Sequence, residues 1–451
     1  MATPEVTTRI LRRLLASGVH TRAERLLARM PPADIAPLLS GLNRGEVRTV
    51  IELLFRQRRA ARTLRELPPE ILPQVFEALS DQRMADVMGR LEIDDLLEMV
   101  DWIPEERREA IVSRLPDHKR AELDKADLYP ESSAGRVMTT NFVALDEKMT
   151  AQEAIDSIRS IGSGADESIL YLYVVDEQRS LSGVVPLRRL VAAPPSRSIS
   201  ELMIDEPVSV QVEADQEEVA QLVKRYDLLA IPVTDVDGHM CGVITVDDVI
   251  DVITEEATED MYHLAGLSED DRVFTPARES LRKRLPWMLL NLGTAFCAAW
   301  VVGLFERTIE QMVALAVFMP VVAGMGGNGG IQTLTVITRG IALGEIEFSS
   351  GVRAALKEFA VGFAIGVAAG ILSASISYLW HGNPVLGVAL FFSMVLTMAV
   401  AGLLGAAVPL LLKALDQDPA LGSGVIVTTF TDVFAFFSFL GIGTLMLDRM
   451  V

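Results

Sequence analysis

One acidic residue, Asp432, lies inside the last long apolar stretch of the chain, about eleven residues from its start. Thr428, Thr429 and Thr431 place hydroxyl oxygens on adjacent faces of the same predicted helix. A carboxylate near the middle of a bilayer costs several kcal/mol unless it faces water or a cation. We therefore expect Asp432, with Thr428 and Thr431, to contact a cation. The alternative is a protonated Asp432 that is hydrogen-bonded to a neighbouring helix.

A glycine-rich segment, Pro320–Gln332, occupies the second apolar stretch and contains five glycines. Glycines weaken a helix, and carbonyl groups freed at membrane depth are tolerated only where they are buried in protein or line a wet cavity. Asn328 and Gln332 bring amide oxygens to the same place. The segment therefore predicts a weakened helix beside a pore. Close packing through small residues would explain the glycines but not the two amides.

These groups together predict a conduit lined by oxygen atoms, with one carboxylate in each chain. Oxygen ligands suit hard divalent cations. One carboxylate is too little to dehydrate Mg²⁺, so the sparse set fits an ion that is held through its waters. A symmetric dimer would bring two copies of Asp432 together and double the charge.

Five apolar stretches are long enough to cross about 30 Å of hydrocarbon, which requires about 20 residues each. They are Pro286–Phe305, Met312–Ile337, Ala354–Trp380, Pro384–Leu412 and Leu421–Leu447. Basic residues mark cytoplasmic ends, and here they precede the first and third stretches and follow the fourth. This pattern predicts a pore domain over residues 281–451, with the N-terminal domains in the cytoplasm and the C-terminus outside.

Charge is distributed unevenly along the 451 residues, whose formal net charge is −20. Residues 281–451 contain 9 basic and 9 acidic residues, so the whole acid excess lies in residues 1–280. The acidic balance disfavours nucleic acid as a partner, because phosphate binding needs a basic face. Two cysteines exclude a disulfide framework. No nucleophile elbow or P-loop is present, and the five histidines are scattered singly, so we do not expect an enzyme.

The cytoplasmic half divides into three predicted segments. Residues 1–130 are helical, and Leu79, Leu91, Ile103 and Leu115 recur every twelve residues, which predicts an acidic superhelical domain of short helices. Residues 131–254 contain a β-α-β-β-α order twice and resemble a pair of CBS domains, an α/β module. Residues 255–280 then form a linking helix before the membrane.

Carboxylates are concentrated at the end of the second CBS-like repeat. On a helix, residues 248, 251, 255 and 259 share one face, and like charges so placed repel. A cluster that packs only when cations neutralise it would act as a cation sensor, whereas a solvated acidic face is the alternative.

The whole pattern resembles the MgtE magnesium channels. The most specific segments are Gly326-Gly327-Asn328-x-Gly330-x-Gln332, Asp418-Pro419-Ala420 and Thr428-Thr429-x-x-Asp432. The resemblance implies a homodimer in the bacterial inner membrane with a central pore, in which Asp432 holds hydrated Mg²⁺. It also implies closure by cytosolic Mg²⁺ bound at acidic residues. Matching positions are Asp94, Asp95, Asp215, Glu217, Asp227, Asp248, Asp251, Glu256, Glu259 and Asp260.

The sequence does not decide whether the CBS-like pair binds a nucleotide. CBS pairs often bind adenine nucleotides through a Ser/Thr-x-x-Asp motif, which is present as Thr245–Asp248 but is replaced by Pro186–Arg189 in the first repeat. Arg188 could still meet phosphates and Tyr171 could stack on a base, so ATP is a candidate ligand. Two functions compete with a magnesium channel: a Co²⁺ or Ca²⁺ carrier on the same scaffold, and a membrane-anchored nucleotide sensor.

Overall fold

The computed structural model describes residues 4–67, 71–161, 170–268, 271, 273, 275–346, 350–415 and 417–450. The chain divides into two compact units, Met1–Ile253 and Thr254–Val451. The first unit contains the helical domain and the CBS-like repeats. The second contains the end of the linking helix and the long apolar helices.

Ten described helices build the helical domain: α1 (Pro4–Ala16), α2 (His20–Leu27), α3 (Pro32–Leu39), α4 (Arg44–Arg56), α5 (Ala60–Arg65), α6 (Leu72–Ala78), α7 (Asp81–Met88), α8 (Ile93–Asp101), α9 (Glu105–Val112) and α10 (Asp117–Ala126). Helices α7 to α10 begin twelve residues apart. The apolar residue that precedes each of them, from Leu79 to Leu115, is at most 5% exposed. The predicted superhelical array is confirmed, because each repeat buries one apolar residue between two short helices.

The helical domain as a whole carries almost no net charge, which corrects the prediction that it is acidic. Residues 1–130 contain 21 Lys and Arg against 22 Asp and Glu, whereas residues 131–280 contain 11 against 30. Nearly all of the acid excess therefore belongs to the CBS-like repeats and the linking segment.

Two similar repeats follow the helical domain. The first contains α11 (Ala134–Val137), β1 (Ala144–Asp146), α12 (Ala151–Ile161), β2 (Tyr171–Val175), β3 (Leu181–Pro186) and α13 (Leu187–Ala192). The second contains β4 (Ile204–Asp205), β5 (Val210–Gln211), α14 (Gln216–Tyr226), β6 (Ala230–Thr234), β7 (Met240–Thr245) and α15 (Val246–Leu264). The sheets have the orders β1-β2-β3-β4 and β5-β6-β7. Tyr171 pairs with Pro186 in one hairpin and Ala230 with Thr245 in the other, so the duplication extends to the register.

The linking helix is placed differently from the prediction of 255–280. It is the continuous α15, which starts at Val246 and ends at Leu264, while the next described helix begins at Ala277. The chain turns at Gly266, whose φ is +68°. Such a backbone favours glycine and ends a helix. Residues 269, 270, 272 and 274 of the predicted segment lie outside the described residues.

Five described helices are long and apolar enough to cross a membrane, as predicted. They are α16 (Ala277–Gly303), α18 (Ala314–Ala342), α19 (Gly351–His381), α20 (Pro384–Ala414) and α21 (Ser423–Leu445), with short helices α17 (Glu306–Gln311) and α22 (Leu447–Met450) beside them. Gly362, Gly366 and Gly370 form one stripe of α19 against α20. A Cβ at Gly362 would lie 2.3 Å from the Met398 carbonyl oxygen, so these backbones meet directly.

Candidate ion pathway and cation-binding sites

Helix α18 is continuous through its glycines, which corrects the expectation of carbonyl groups freed along the second apolar stretch. The glycines at 326 and 330 are buried in helix packing instead. A Cβ at Gly326 would lie 2.7 Å from Thr397 on α20, and one at Gly330 would lie 2.6 Å from Val427 on α21. Close packing therefore explains these two glycines, and α18 stays helical through them.

The opposite face of α18 carries the polar side chains. Gly324, Asn328, Gln332 and Thr335 are all exposed in the single chain and follow one another at i+4 or i+3 spacing. This spacing places them on one face of the helix. An exposed stripe of amide and hydroxyl groups is costly against lipid, so this face requires water or another protein surface.

Asp432 lies nine residues after the start of α21, which is about 14 Å along the helix and near the middle of a bilayer. Its side chain is partly exposed, and no hydrogen bond or ion pair joins its carboxylate to any of the described residues. The protonated, helix-bonded alternative predicts such a partner on a neighbouring helix. The Asp432 carboxylate has no such partner among the described residues, and it is partly exposed.

The two threonines expected to accompany Asp432 lie in different surroundings. Thr428, one turn earlier, is partly exposed, and its hydroxyl donates to the Gly424 carbonyl oxygen at 2.8 Å. An oxygen lone pair therefore stays available. Thr431 is 1% exposed and packs against α18 beside Gly326 and Gly330. Its position indicates a packing role within the chain, unlike the ion contact expected for it.

Sequence reasoning missed Glu358, an acidic residue in α19 that is only 5% exposed. Lys357 Nζ lies 2.5 Å from Glu358 Oε1, and the Thr333 hydroxyl donates to Glu358 Oε2 at 3.3 Å. The carboxylate of Glu358 is therefore paired, in contrast with Asp432. A charged residue about one turn into a long apolar stretch is the signal that could have identified it.

A second acidic group lies at the end of the linking helix, within the second unit. His263 Nδ1 lies 2.7 Å from Asp418 Oδ2 and 3.7 Å from Glu259 Oε1. Burial, Asp418 and Glu256 raise the pKa of Asp260 to about 6. Of these residues the sequence predicted Glu256, Glu259 and Asp260 as regulatory. It identified Asp418 only as a motif and missed His263.

This end of α15 also touches the start of α21. A Cβ at Gly424 would lie 2.4 Å from the Leu264 carbonyl oxygen, so the end of the linking helix contacts the backbone of the helix that carries Asp432. A displacement of the linking helix would therefore act directly on α21.

The third acidic group lies within the first unit, where α8 of the helical domain meets the start of α15. Burial, Asp95 and Asp248 raise the pKa of Asp94 to about 8. Burial also raises the pKa of Asp95 to about 7, although Arg65 opposes the shift. The pKa of Asp248 is raised for the same reason. Asp94 Oδ1 is buried and has no hydrogen-bond partner among the described residues.

The other predicted regulatory residues lie apart from this group. Asp215 is the N-cap of α14, where it accepts the Glu217 N–H at 2.8 Å, and Asp227 is the left-handed residue at the other end of that helix. About 16 Å of helix separate the two ends, so Asp215 and Asp227 cannot share an ion within one chain. Asp251 is exposed on α15.

The predicted nucleotide-binding residues are divided between the two repeats. The Thr245 hydroxyl donates to Asp247 Oδ1 at 2.5 Å, and the Thr245 N–H donates to Asp248 Oδ2 at 3.3 Å, so the Asp248 carboxylate accepts a backbone N–H at the start of α15. Tyr171 lies on β2, and Arg188 is exposed on α13 of the first repeat. Asp248 faces Asp94 as well, so its carboxylate belongs to the acidic group of the first unit.

Three protein-family models match successive parts of the chain. Residues 319–442 match the family model of the MgtE divalent cation transporters, residues 30–132 match the MgtE intracellular N domain, and residues 134–196 and 199–255 match CBS domains. The magnesium transporter MgtE of Thermus thermophilus is 35% identical over 446 residues, which is 98% of each chain. The chain belongs to the MgtE family. It is thus a multi-pass membrane transporter with a soluble cytosolic part, and not an enzyme.

Two further relatives support this assignment. The magnesium transporter MgtE of Bacillus subtilis is 35% identical over 385 residues, or 85% of each chain. The solved cytosolic domain of an Mg²⁺ channel MgtE, crystallised in complex with ATP, is 33% identical and has a TM-score of 0.51. It covers 54% of this chain and 99% of that domain.

Proposed function

We propose that this protein conducts Mg²⁺ into the cytoplasm as a homodimer with a central pore. The observation that carries the proposal is Asp432, a partly exposed carboxylate near the middle of a membrane-spanning helix that is unpaired among the described residues. An ionisable group at that depth is stable only beside water or a cation. The names of the relatives support Mg²⁺ as the cargo.

The polar stripe of α18 supplies the second wall of the pore. Asn328 and Gln332 are exposed in the single chain, and a partner subunit around a shared axis would enclose them together with Asp432. A ring with two carboxylates and several amides has too few charges to strip Mg²⁺ of its waters. It therefore recognises the hydrated ion through hydrogen bonds to those waters.

Cytosolic Mg²⁺ closes the pore in this proposal. Asp94, Asp95 and Asp248 repel one another when all are ionised, and that repulsion opposes the packing of α8 on the start of α15. A divalent cation bound among them removes the repulsion, so it stabilises the packed state relative to the open one. Asp94 Oδ1, which is buried and has no partner in the described part of the chain, would supply a ligand atom.

The acidic group at the end of α15 completes the gate. Glu259, Asp260 and Asp418 lie where the linking helix meets α21, and His263 contacts both Asp418 and Glu259. A bound Mg²⁺ would hold the linking helix against α21 and keep the pore shut. Glu256 belongs to this group as well, because it raises the pKa of Asp260. Asp215, Glu217, Asp227 and Asp251 would serve separate ions.

ATP is a second ligand that we propose for the CBS pair. The ATP complex of the related cytosolic domain supports this proposal. Arg188 and Tyr171 provide phosphate and base contacts in the first repeat. Pro186 lacks the hydroxyl that Thr245 offers in the second.

Growth rescue of a magnesium-transport-deficient bacterium tests the central proposal. The wild-type gene restores growth at low Mg²⁺, and Asp432→Asn does not. Asp448→Asn is the matched control, because Asp448 is an exposed carboxylate beyond the end of α21. Rescue by Asp432→Asn at equal expression would refute the pore. Competition of uptake by Co²⁺ and Ca²⁺ measures selectivity.

A further inference from the structure

A cavity of about 600 Å³ lies inside the helical domain, at the start of α3, around α5 and beside the start of α8. Four arginines line it: Arg58, Arg62, Arg65 and Arg90. The cavity is large enough for a small ligand, since ligand pockets usually measure about 300–1,000 Å³.

Arg58 is held in a conformation that its residue type disfavours. Its φ is +58°, and it follows the last turn of α4 in a Schellman arrangement, in which the Arg59 N–H donates to the Leu54 carbonyl at 2.9 Å and the Arg58 N–H to Phe55 at 3.0 Å. Glycine is the usual residue at this position. An arginine here destabilises the turn relative to glycine, and such backbone strain is often found at binding sites.

Two of the four guanidinium groups have no acceptor within the described part of the chain. Arg58 makes only a backbone hydrogen bond, and the guanidinium of Arg90 stacks on the Phe55 ring, 4.6 Å from its centroid. Stacking leaves the N–H groups at the edge of the Arg90 guanidinium available to an anion. The preorganised fork of an arginine suits phosphate oxygens.

The carboxylates at the cavity do not cancel these arginines. Three of them, Glu66, Glu92 and Asp95, line it against the four guanidinium groups. Glu92 accepts hydrogen bonds from Thr139 and Asn141. Asp95 lies 3.8 Å from the Arg65 guanidinium and offsets one of the four positive charges. Four guanidinium groups against three carboxylates leave the cavity with a net positive charge.

We propose that this cavity binds a phosphate chain, either inorganic polyphosphate or the tail of a nucleotide, through Arg58, Arg62, Arg65 and Arg90. This site is separate from the CBS repeats. Arg65 also connects it with the cation-binding group, because its guanidinium lies 3.8 Å from Asp95 and 3.6 Å from Asp247. An anion bound at Arg65 competes with Asp95 and Asp247 for the Arg65 guanidinium, and these carboxylates then become available to Mg²⁺.

Calorimetric titration of the full chain in detergent, in Mg²⁺-free buffer, tests the site with inorganic tripolyphosphate as the probe. The wild-type protein binds it. Arg58→Gly weakens binding about tenfold or more, since a hydrogen bond to a charged group is worth that factor. Its thermal stability is retained or raised, because glycine suits a positive φ. Arg90→Gln, which replaces the guanidinium over the Phe55 ring with a neutral amide, weakens binding as well.

Arg56→Ala is the matched control, because Arg56 is exposed at the end of α4 but does not line the cavity. Wild-type affinity in Arg58→Gly, or an equal loss in Arg56→Ala, would overturn the proposal, as would an absence of binding to the wild type. A parallel titration with ATP identifies the source of the phosphate chain. If the ligand is a nucleotide, Arg58→Gly weakens the binding of ATP as well as that of tripolyphosphate. If it is inorganic polyphosphate, only the binding of tripolyphosphate is weakened.

Discussion

The carboxylate in the membrane and the carboxylates in the cytosolic unit are placed in opposite ways. Asp432 is alone, partly exposed and without a hydrogen-bond partner among the described residues, whereas Asp94, Asp95 and Asp248 are crowded and largely buried. In the proposed function, a single carboxylate attracts a hydrated ion and lets it leave, and a crowded group holds an ion until the cytosolic concentration falls. The number of charges and their burial would thus separate conduction from sensing.

The largest expected effect follows from neutralising the lone charge. Asp432→Asn should lower the rate of Mg²⁺ uptake into vesicles to that of vesicles without the protein, because no second charge replaces it. Asp432→Glu should keep a measurable rate, since an ion contacted through its waters tolerates a displaced carboxylate. An equal loss of Mg²⁺ uptake in both variants would indicate that Asp432 coordinates the ion directly, which would contradict a contact through water.

A smaller effect is expected from the crowded group, where each residue is one of several. The double variant Asp94→Asn, Asp248→Asn should lose the protection of residues 1–270 against protease that millimolar Mg²⁺ gives the wild type. Uptake should persist and respond less to cytosolic Mg²⁺. Asp124→Asn, which changes an exposed carboxylate of the same domain, is the control. Unchanged protection in the double variant would remove the sensor from this group.

The pH dependence of stability sharpens the same contrast. The pKa of Asp94 is about 8 in the folded chain against an ordinary 3.8. The folded state therefore binds the proton more tightly, and this contribution to stability is complete below pH 4 and lost as the pH rises through 8. In Mg²⁺-free buffer, thermal unfolding of the cytosolic unit should move to lower temperature over this range. Asp94→Asn should flatten the profile, and a wild-type slope in this variant would contradict the assigned pKa.

The smallest effect concerns Thr245, whose hydroxyl donates to Asp247 at the start of α15. Thr245→Val should destabilise the CBS pair by about 1 kcal/mol through loss of that hydrogen bond. Thermal unfolding measures that loss, and ATP titration shows whether the hydroxyl also serves the nucleotide. Thr258→Val, which alters an exposed threonine on the same helix, is the control. Wild-type stability in Thr245→Val would mean that the hydrogen bond contributes nothing.

Several features could be predicted from local patterns because their physics is local. Five apolar stretches, a twelve-residue helical repeat and a duplicated β-α-β-β-α order each follow from spacing within one segment. Asp432 could be recognised from the sequence because a charged side chain inside a membrane-spanning stretch is costly and therefore indicates a functional role. The prediction that the helical domain is acidic was wrong, because nearly all of the excess of Asp and Glu lies after residue 130.

The tertiary structure decided which groups meet. Sequence alone indicated where the apolar and charged residues lie along the chain, because desolvation costs depend on residue type. It could not show that α18 stays unbroken with two of its glycines buried in packing, that Thr431 faces that packing, or that His263 and Asp418, 155 positions apart, lie 2.7 Å from each other. Contacts of this kind depend on how helices pack, and packing is set by the shapes of many side chains at once.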